Sequence, residues 1–224
     1  MPSIKATFPK IGTAVGLSSA STGPYDLLGT DVLVAIGGTF PDPAIPLSIT
    51  QVGGSGGTIT WTLMDTAINA GRMQIWLGTI SGGAISGANT QVGNMDGSGD
   101  GYVAVYAMTS AQTTQGKHAT ANSSSGAANV TVINCAANSL LVAGIGDFTG
   151  NFTQTADANT TKDDEQQLGD TYESCHKTVL TPSSGNFALG NSAPTAHTWA
   201  IVALEVLDAG GGTVRLLSSL GVGT

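Results

Sequence analysis

The sequence has 224 residues, of which 41% are hydrophobic and only 10% are charged. A chain this poor in charged residues has little with which to cover the solvated face of a long amphipathic helix, so strands and turns are favoured. Seven basic residues against 15 acidic ones give a formal net charge of −8, which argues against nucleic acid and against an anionic membrane surface as partners.

Short apolar segments bounded by Gly, Pro, Asn or Asp predict strands separated by turns. In the first half the predicted strands are 4–8, 31–36, 58–63, 73–77 and 102–108. Alternation with threonine places Ile59, Trp61 and Leu63 on one face of their strand. The turn at 69–71 joins that strand to the next as a hairpin, and the prolines between 41 and 46 predict a loop.

In the second half the predicted strands are 129–133, 140–145 and 198–206. The segments 32–40 and 141–148 are similar, which we interpret as equivalent strands of one sandwich rather than as a true repeat. Two polar segments, 109–128 and 147–184, are expected to be long surface loops that carry binding function. A single helical turn near 162–168 is the only helix expected.

These patterns predict an all-β fold, an antiparallel β-sandwich of jelly-roll or immunoglobulin-like type. One domain is expected over 1–208. The glycines after Asp208 predict a hinged arm over 209–224 that docks on a neighbouring subunit, or a tail that folds back or stays disordered. The apolar side chains Val214, Leu216 and Leu217 are the candidate subunit contacts of that arm.

The amino-terminal residues lack the apolar stretch of a secretion signal, so synthesis in a cytoplasm is expected. No apolar run reaches the ~18 residues that span a bilayer, and no membrane partner is predicted. Cys135 and Cys175 are too few for a disulfide framework and have no zinc-ligand spacing, which favours two thiols over one bridge.

Asp96, Ser98 and Asp100 stand at the ligand positions of a calcium loop. The twelfth position of that loop should supply a glutamate but is Ala107. A tight turn is therefore favoured over a calcium site, and no cofactor is expected.

The letters GxSxG around Ser55 match a nucleophile elbow, which requires a strand before the serine and a helix after it. A strand follows here, so an inter-strand loop is favoured and no enzyme is predicted. The acidic run 163–165 is interpreted as a solubilising loop rather than as paired catalytic carboxylates. The three histidines, His118, His176 and His197, have no ligand spacing.

Aromatic side chains in predicted loops are candidate contacts for a partner or for a host-surface glycan. They are Phe148, Phe152 and Tyr172. An exposed ring of this kind would stack on a sugar, which leaves a carbohydrate-binding module or adhesin as the alternative function.

The segments DVLVAIGGTF, TITWTLMDTAINAGRMQIWLGTISGG, NVTVINCAANSLLVAGIGDFTGN and HTWAIVALEVLD resemble β-sandwich domains of bacteriophage structural proteins and of some bacterial surface proteins. The resemblance covers about residues 30–208. It implies a virion protein made in the host cytoplasm, acting in capsid decoration, as a head fibre or in the tail. Such a protein would form a homo-oligomer and would also contact other virion proteins. The resemblance implies no catalytic residue.

Overall fold

The computed structural model describes residues 1–43, 45–95 and 99–210. These residues form an all-β sandwich without a helix. The strands are β1 (Ser3–Ile4), β2 (Lys10–Val15), β3 (Ser19–Ser21), β4 (Tyr25–Leu27), β5 (Val32–Phe40), β6 (Ser48–Val52), β7 (Ser55–Asn69), β8 (Gly71–Gly93), β9 (Asp100–Thr109), β10 (His118–Ser123), β11 (Asn129–Cys135), β12 (Leu140–Asp147), β13 (Thr155–Ala156), β14 (Thr160–Gln167), β15 (Thr171–Lys177), β16 (Gly185–Ala193) and β17 (Trp199–Val206). Within the described ranges, no helix could cross a membrane.

The first half of the chain builds a layer in the order β2-β9-β5-β8-β7, joined by antiparallel pairing. The long strand β8 continues beyond this layer, and its last residues pair with β3 and β6. Ala20 and Val92 of this outer part share a buried cluster with Leu33 and Trp76 of the first layer. The first half is therefore two layers with its own apolar core.

The second half repeats this arrangement. A five-stranded sheet has the order β10-β17-β12-β15-β14, and a three-stranded sheet has the order β11-β16-β13. Val132 and Leu189 of the outer sheet share a buried cluster with Ile145 and Ile201 of the inner one. This half is again two layers around an apolar core.

The strand pairing of the two halves is the same and is nested. In the second half β10 pairs with β17, β11 with β16 and β12 with β15. In the first half β2 pairs with β9, β3 with the end of β8 and β5 with the start of β8. Each strand of the second half thus has an equivalent in the first, with β8 equivalent to β15 and β16 together, whereas β1 and β4 are additional strands of the first half.

The register and the irregularities also correspond. Val34 of β5 pairs with Tyr106 and Leu77, and Val142 of β12 pairs with Leu204 and His176. The β7–β8 ladder is interrupted between Leu63 and Asp65, and the β14–β15 ladder between Lys162 and Asp164. Because Val34 is equivalent to Val142, Trp76 of β8 is equivalent to Cys175 of β15, and each interruption directly follows the residue that pairs with it. A shared β-bulge at one register is a specific feature, so the chain contains one topology twice.

The two inner layers pack face to face and bury side chains from both halves in one cluster. Phe40 ends β5 and Phe148 directly follows β12 at the equivalent position, and their rings stack with centroids 6.0 Å apart. Strands β7 and β8 contact β17, whereas the equivalent strands β14 and β15 contact β9 through Asp164 and Tyr172. Equivalent strands thus exchange roles across the interface, as in an approximate two-fold arrangement, with β7 and β8 closer to β17 than β14 and β15 are to β9.

Several sequence predictions are confirmed. The fold is all-β, the described residues between β5 and β6 form no strand, and β7 and β8 form a hairpin. Ala70 in its turn has a φ of 61°. Both cysteines are free thiols and are buried.

The helical turn at 162–168 and the long loop at 147–184 are wrong predictions. Strand β14 occupies the first segment, and β13, β14 and β15 lie within the second. The segment 109–128 likewise contains β10. Polar residues form these strands because β10 and β14 are the edges of their sheet, where side chains need not be apolar. The predicted boundary of the domain at residue 208 stays a prediction.

Ile59, Trp61 and Leu63 share one face, as predicted, because they occupy alternate positions of an uninterrupted part of the β7–β8 ladder. Ile59 is buried on that face in the core of the first half, whereas Leu63 is 47% exposed. After the bulge that follows Leu63, Met64 is buried on the other face, in the core between the halves.

Candidate functional site

The predicted calcium ligands fall partly outside the described residues, which exclude Asp96 and Ser98. Asp100 is buried and accepts hydrogen bonds from the second half. The Tyr172 hydroxyl donates to Oδ1 at 2.5 Å, and the amide of Asp170 donates to Oδ2 at 3.1 Å. Burial raises the pKa of Asp100 despite these donors. Among the described residues no group of three or more His, Cys, Asp or Glu is placed to hold a metal.

Two of the three predicted loop aromatics are not exposed, and this part of the prediction is wrong. Phe148 is 7% exposed and Tyr172 is fully buried. The reason is that β12 runs up to Phe148, whose ring packs between Phe40 and Tyr172 in the core between the halves. Phe152 is 44% exposed and lies 4.3 Å from the His197 ring. Val214, Leu216 and Leu217 lie outside the described residues.

The inter-strand loop expected at Ser55 is a wrong prediction, because Ser55 begins β7 and pairs with Ser86 of β8. The residues after it continue the strand rather than form a helix, as the sequence predicted. The acidic residues 163–165 lie in β14 instead of in a solvated loop, and their carboxylates accept hydrogen bonds from the first half and from neighbouring strands.

The interface between the halves has one apolar side and one polar side. On the first half, Met64, Ile75 and Leu77 of β7 and β8 are buried in the shared core. The equivalent positions of β14 and β15 hold Asp163, Ser174 and His176. Comparison of these equivalent positions therefore identifies a polar cluster in the second half, where the first half has only apolar side chains.

Asp163 is the centre of this cluster. His176 Nδ1 lies 2.8 Å from Asp163 Oδ2, and the Tyr106 hydroxyl donates to the same oxygen at 2.7 Å. A carboxylate can only accept, so Nδ1 carries the hydrogen and Nε2 is left for another group. Burial, and then the charge of Asp163, raise the pKa of Tyr106 well above its usual range. Tyr106 is therefore a permanent neutral donor.

Tyr102 makes a second link of the same kind, with its hydroxyl 3.3 Å from Asp164 Oδ2. Its pKa is also raised, first by burial and then by the charge of Asp164. The tyrosines belong to the first half and the aspartates to the second. These hydrogen bonds fix the register of the two halves on the polar side.

All three histidines of the chain meet an aspartate through Nδ1. His118 lies 2.7 Å from Asp65 of the other half, and His197 lies 2.6 Å from Asp147. These pairs were missed because no regular spacing along the sequence connects a histidine with its aspartate. Aligning the two halves by β5 and β12 would have shown Asp163 and His176 as polar substitutions at apolar positions.

A second polar network lies inside the outer core of the second half. Gln154 donates to Asp147 at 2.8 Å, and Asn191 donates to Gln154 and to Glu173, each at 3.1 Å. Glu173 Oε1 is buried without a hydrogen-bond partner. Burial raises the pKa of Glu173 to about 7, so the buried carboxyl gains a proton more readily than an exposed one.

No family model matches the chain, and no curated protein or solved structure matches it either. The fold therefore defines the class of this protein, an all-β antiparallel sandwich. The polar cluster at Asp163 is the chemically distinct position within that fold.

Proposed function

We propose that the chain is a non-enzymatic structural protein of a bacteriophage virion, acting in capsid decoration, as a head fibre or in the tail. It assembles through protein contacts with itself and with other virion proteins. The observation that supports this most is the nested strand pairing, which occurs twice in one chain.

Nested pairing of eight strands in two layers is the pattern of a jelly roll, and the second half has eight strands, β10 to β17. We infer that each half is a jelly roll rather than an immunoglobulin-like sandwich. Jelly rolls recur in viral capsid proteins and in lectins. The sequence resemblance to phage structural proteins leads to the same class.

The equivalent edge strands β7 and β14 of the two inner layers differ in a way that favours assembly at β7. Strand β14 carries Lys162, Asp163, Asp164 and Glu165, and charged edges resist pairing with another chain. Strand β7, its equivalent, has Asp65 as its one charged residue, and Leu63 and Ile68 are exposed on it. In the described residues β7 pairs with β8 alone. We assign β7 as the edge that a second chain joins by strand addition.

The test is the solution mass by light scattering, combined with electron microscopy of concentrated protein. The full chain should form oligomers, and Thr60→Lys with Thr62→Lys should reduce the mass to that of a monomer. Thr161→Lys on β14 is the matched control and should leave the oligomer intact. Truncation after Asp208 measures any further contribution of 209–224.

A full chain that stays monomeric at every concentration, and that is missing from phage particles purified from its source, would overturn the proposal. Oligomers that persist in the variant with lysines on β7 would instead show that β7 is not the assembly edge.

A further inference from the structure

A cleft of about 360 Å³ opens where the amino-terminal segment crosses the second half. Its walls include Ile4, Lys5, Phe8, Leu140, His176 and Leu180. The volume is in the lower part of the range for small-molecule sites. Such sites combine apolar walls with a few oriented polar groups, and this cleft has both.

Carboxylates orient the polar side chains of the cleft through hydrogen bonds. Asp163 orients His176 through Nδ1, and Tyr106 donates to Asp163 from the other half. Lys5 Nζ donates at 2.8 Å to Asp31, whose side chain is only 1% exposed. The cleft therefore presents an imidazole nitrogen and an ammonium group, both held by a carboxylate.

The first half shows that this position does not need polar residues. Val32, Met64 and Leu77 occupy the positions equivalent to Leu140, Asp163 and His176, and all three are buried apolar side chains. A buried carboxylate with its hydrogen-bond donors is often no more stabilising than apolar side chains of similar volume. Folding alone therefore does not account for the Asp163–His176 pair.

The charge balance of the cleft selects the class of ligand. With a neutral imidazole at His176, the ammonium groups of Lys5 and Lys177 are balanced by the carboxylates of Asp31 and Asp163, so the charges at the cleft sum to zero and favour no charged ligand. Hydroxyl groups both donate and accept, and they suit a wall with an imidazole nitrogen that accepts and an ammonium that donates. The side chains of Ile4 and Leu180 offer an apolar surface for the C–H face of a ring.

We propose that this cleft binds a neutral polyhydroxylated ring, one monosaccharide unit. His176 Nε2 accepts a hydrogen bond from one hydroxyl, and Lys5 Nζ donates to another. Asp163 and Tyr106 are positioning residues that fix the imidazole. The site is separate from β7, so it goes beyond the assembly role and does not depend on it.

The test is a titration of the ¹⁵N-labelled full chain with D-glucose, D-galactose, D-mannose and N-acetylglucosamine. At least one sugar should give saturable shifts confined to residues around the cleft. Acetate and phosphate should give none there. Saturable anion binding, or no shift with any of the four sugars, would overturn the proposal.

The first half supplies the decisive variant. Asp163→Met with His176→Leu places the apolar side chains of the first half at the equivalent positions of the cleft. Tyr106→Phe is added because the Tyr106 hydroxyl would otherwise lose its acceptor, the Asp163 carboxylate. The triple variant should keep the native spectrum elsewhere and weaken sugar binding at least tenfold. If this variant fails to fold, His176→Leu alone tests the same loss, since Tyr106 still donates to Asp163.

His118→Leu is the matched control, because it removes the imidazole of another Asp–His pair outside the cleft. It should bind sugar like the unmodified chain. Unchanged affinity in the folded variant of the cleft would show that the hydrogen bond between Asp163 and His176 is structural only, and would overturn the proposal.

Discussion

Gly144 of β12 packs against Ile36 of β5 between the two halves, and a methyl group there should be destabilising. A Cβ at this position would overlap Cγ2 of Ile36 and lie 3.3 Å from Cε of Met73. Ile36 is fully buried and β-branched, so its side chain has little freedom to move aside. Overpacking of this kind costs about 1–3 kcal/mol, which is the expected loss in the free energy of unfolding for Gly144→Ala.

Ile36→Ala removes the group that would clash and leaves a cavity, with an expected cost of about 2–5 kcal/mol. In the double variant the new methyl at 144 enters the vacated space. The overpacking cost then disappears, so the double variant should be more stable than the sum of the two single effects by about 1–3 kcal/mol.

The assay is equilibrium unfolding in guanidinium chloride of the four proteins at one pH. Gly23→Ala is the control, because a Cβ at Gly23 meets no atom within 4 Å, and it should change stability by no more than about 0.5 kcal/mol. Effects of Ile36→Ala and Gly144→Ala that add within about 0.5 kcal/mol would refute the packing of β5 against β12.

Three other changes test separate features of the fold. Ala70 has a φ of 61°, so Ala70→Gly should raise the free energy of unfolding by about 1 kcal/mol in the same titration; a decrease would contradict the turn. Burial raises the pKa of Glu173 from 4.5 to about 7, so the folded state holds this proton more tightly than the unfolded state. Stability should therefore fall as pH rises from 4.5 to 7 and then level off, and Glu173→Gln should flatten this trend in thermal unfolding across that range. An identical pH profile for the variant would show that Glu173 is not buried. Tyr172→Phe removes the donor to the buried Asp100 carboxylate and should cost about 1.5–3 kcal/mol on denaturant unfolding, whereas an unchanged midpoint would place Tyr172 away from Asp100.

The sequence predicts the apolar strands well because they carry a direct pattern. Alternation identifies β7, and continuous apolar runs identify β5, β9, β12 and β17, which lie inside their sheets and are buried on both faces. Strand β14 has no such pattern, because it is an edge strand whose side chains make hydrogen bonds to Tyr102, Tyr106 and His176. Its stability depends on partners far away in the sequence.

The duplication was visible in the sequence only at β5 and β12, and the interpretation of their similarity as one sandwich rather than a true repeat was wrong. Val34 and Val142 are equivalent and share the core between the halves. Ala35 and Ala143 are also equivalent, and each lies in the outer core of its own half. Elsewhere the equivalent residues differ in chemistry, as Met64 and Asp163 do. Such pairs become recognisable only when the register of both hairpins is known.

The site was missed for the same reason. Adjacent charges at 163–165 resemble a solvated loop in sequence, and His176 follows a cysteine without any ligand spacing. Their proximity results from the pairing of β14 with β15, and the contribution of Tyr106 results from the packing of the halves.

The most direct test of the duplicated, face-to-face arrangement is a nuclear Overhauser experiment on the labelled full chain. The account predicts contacts between the Ile36 γ2 methyl and the Hα protons of Gly144, and between the rings of Phe40 and Phe148. Finding both would place the equivalent strands against each other at the two-fold axis. Their absence, with both residue pairs assigned and ordered, would contradict it.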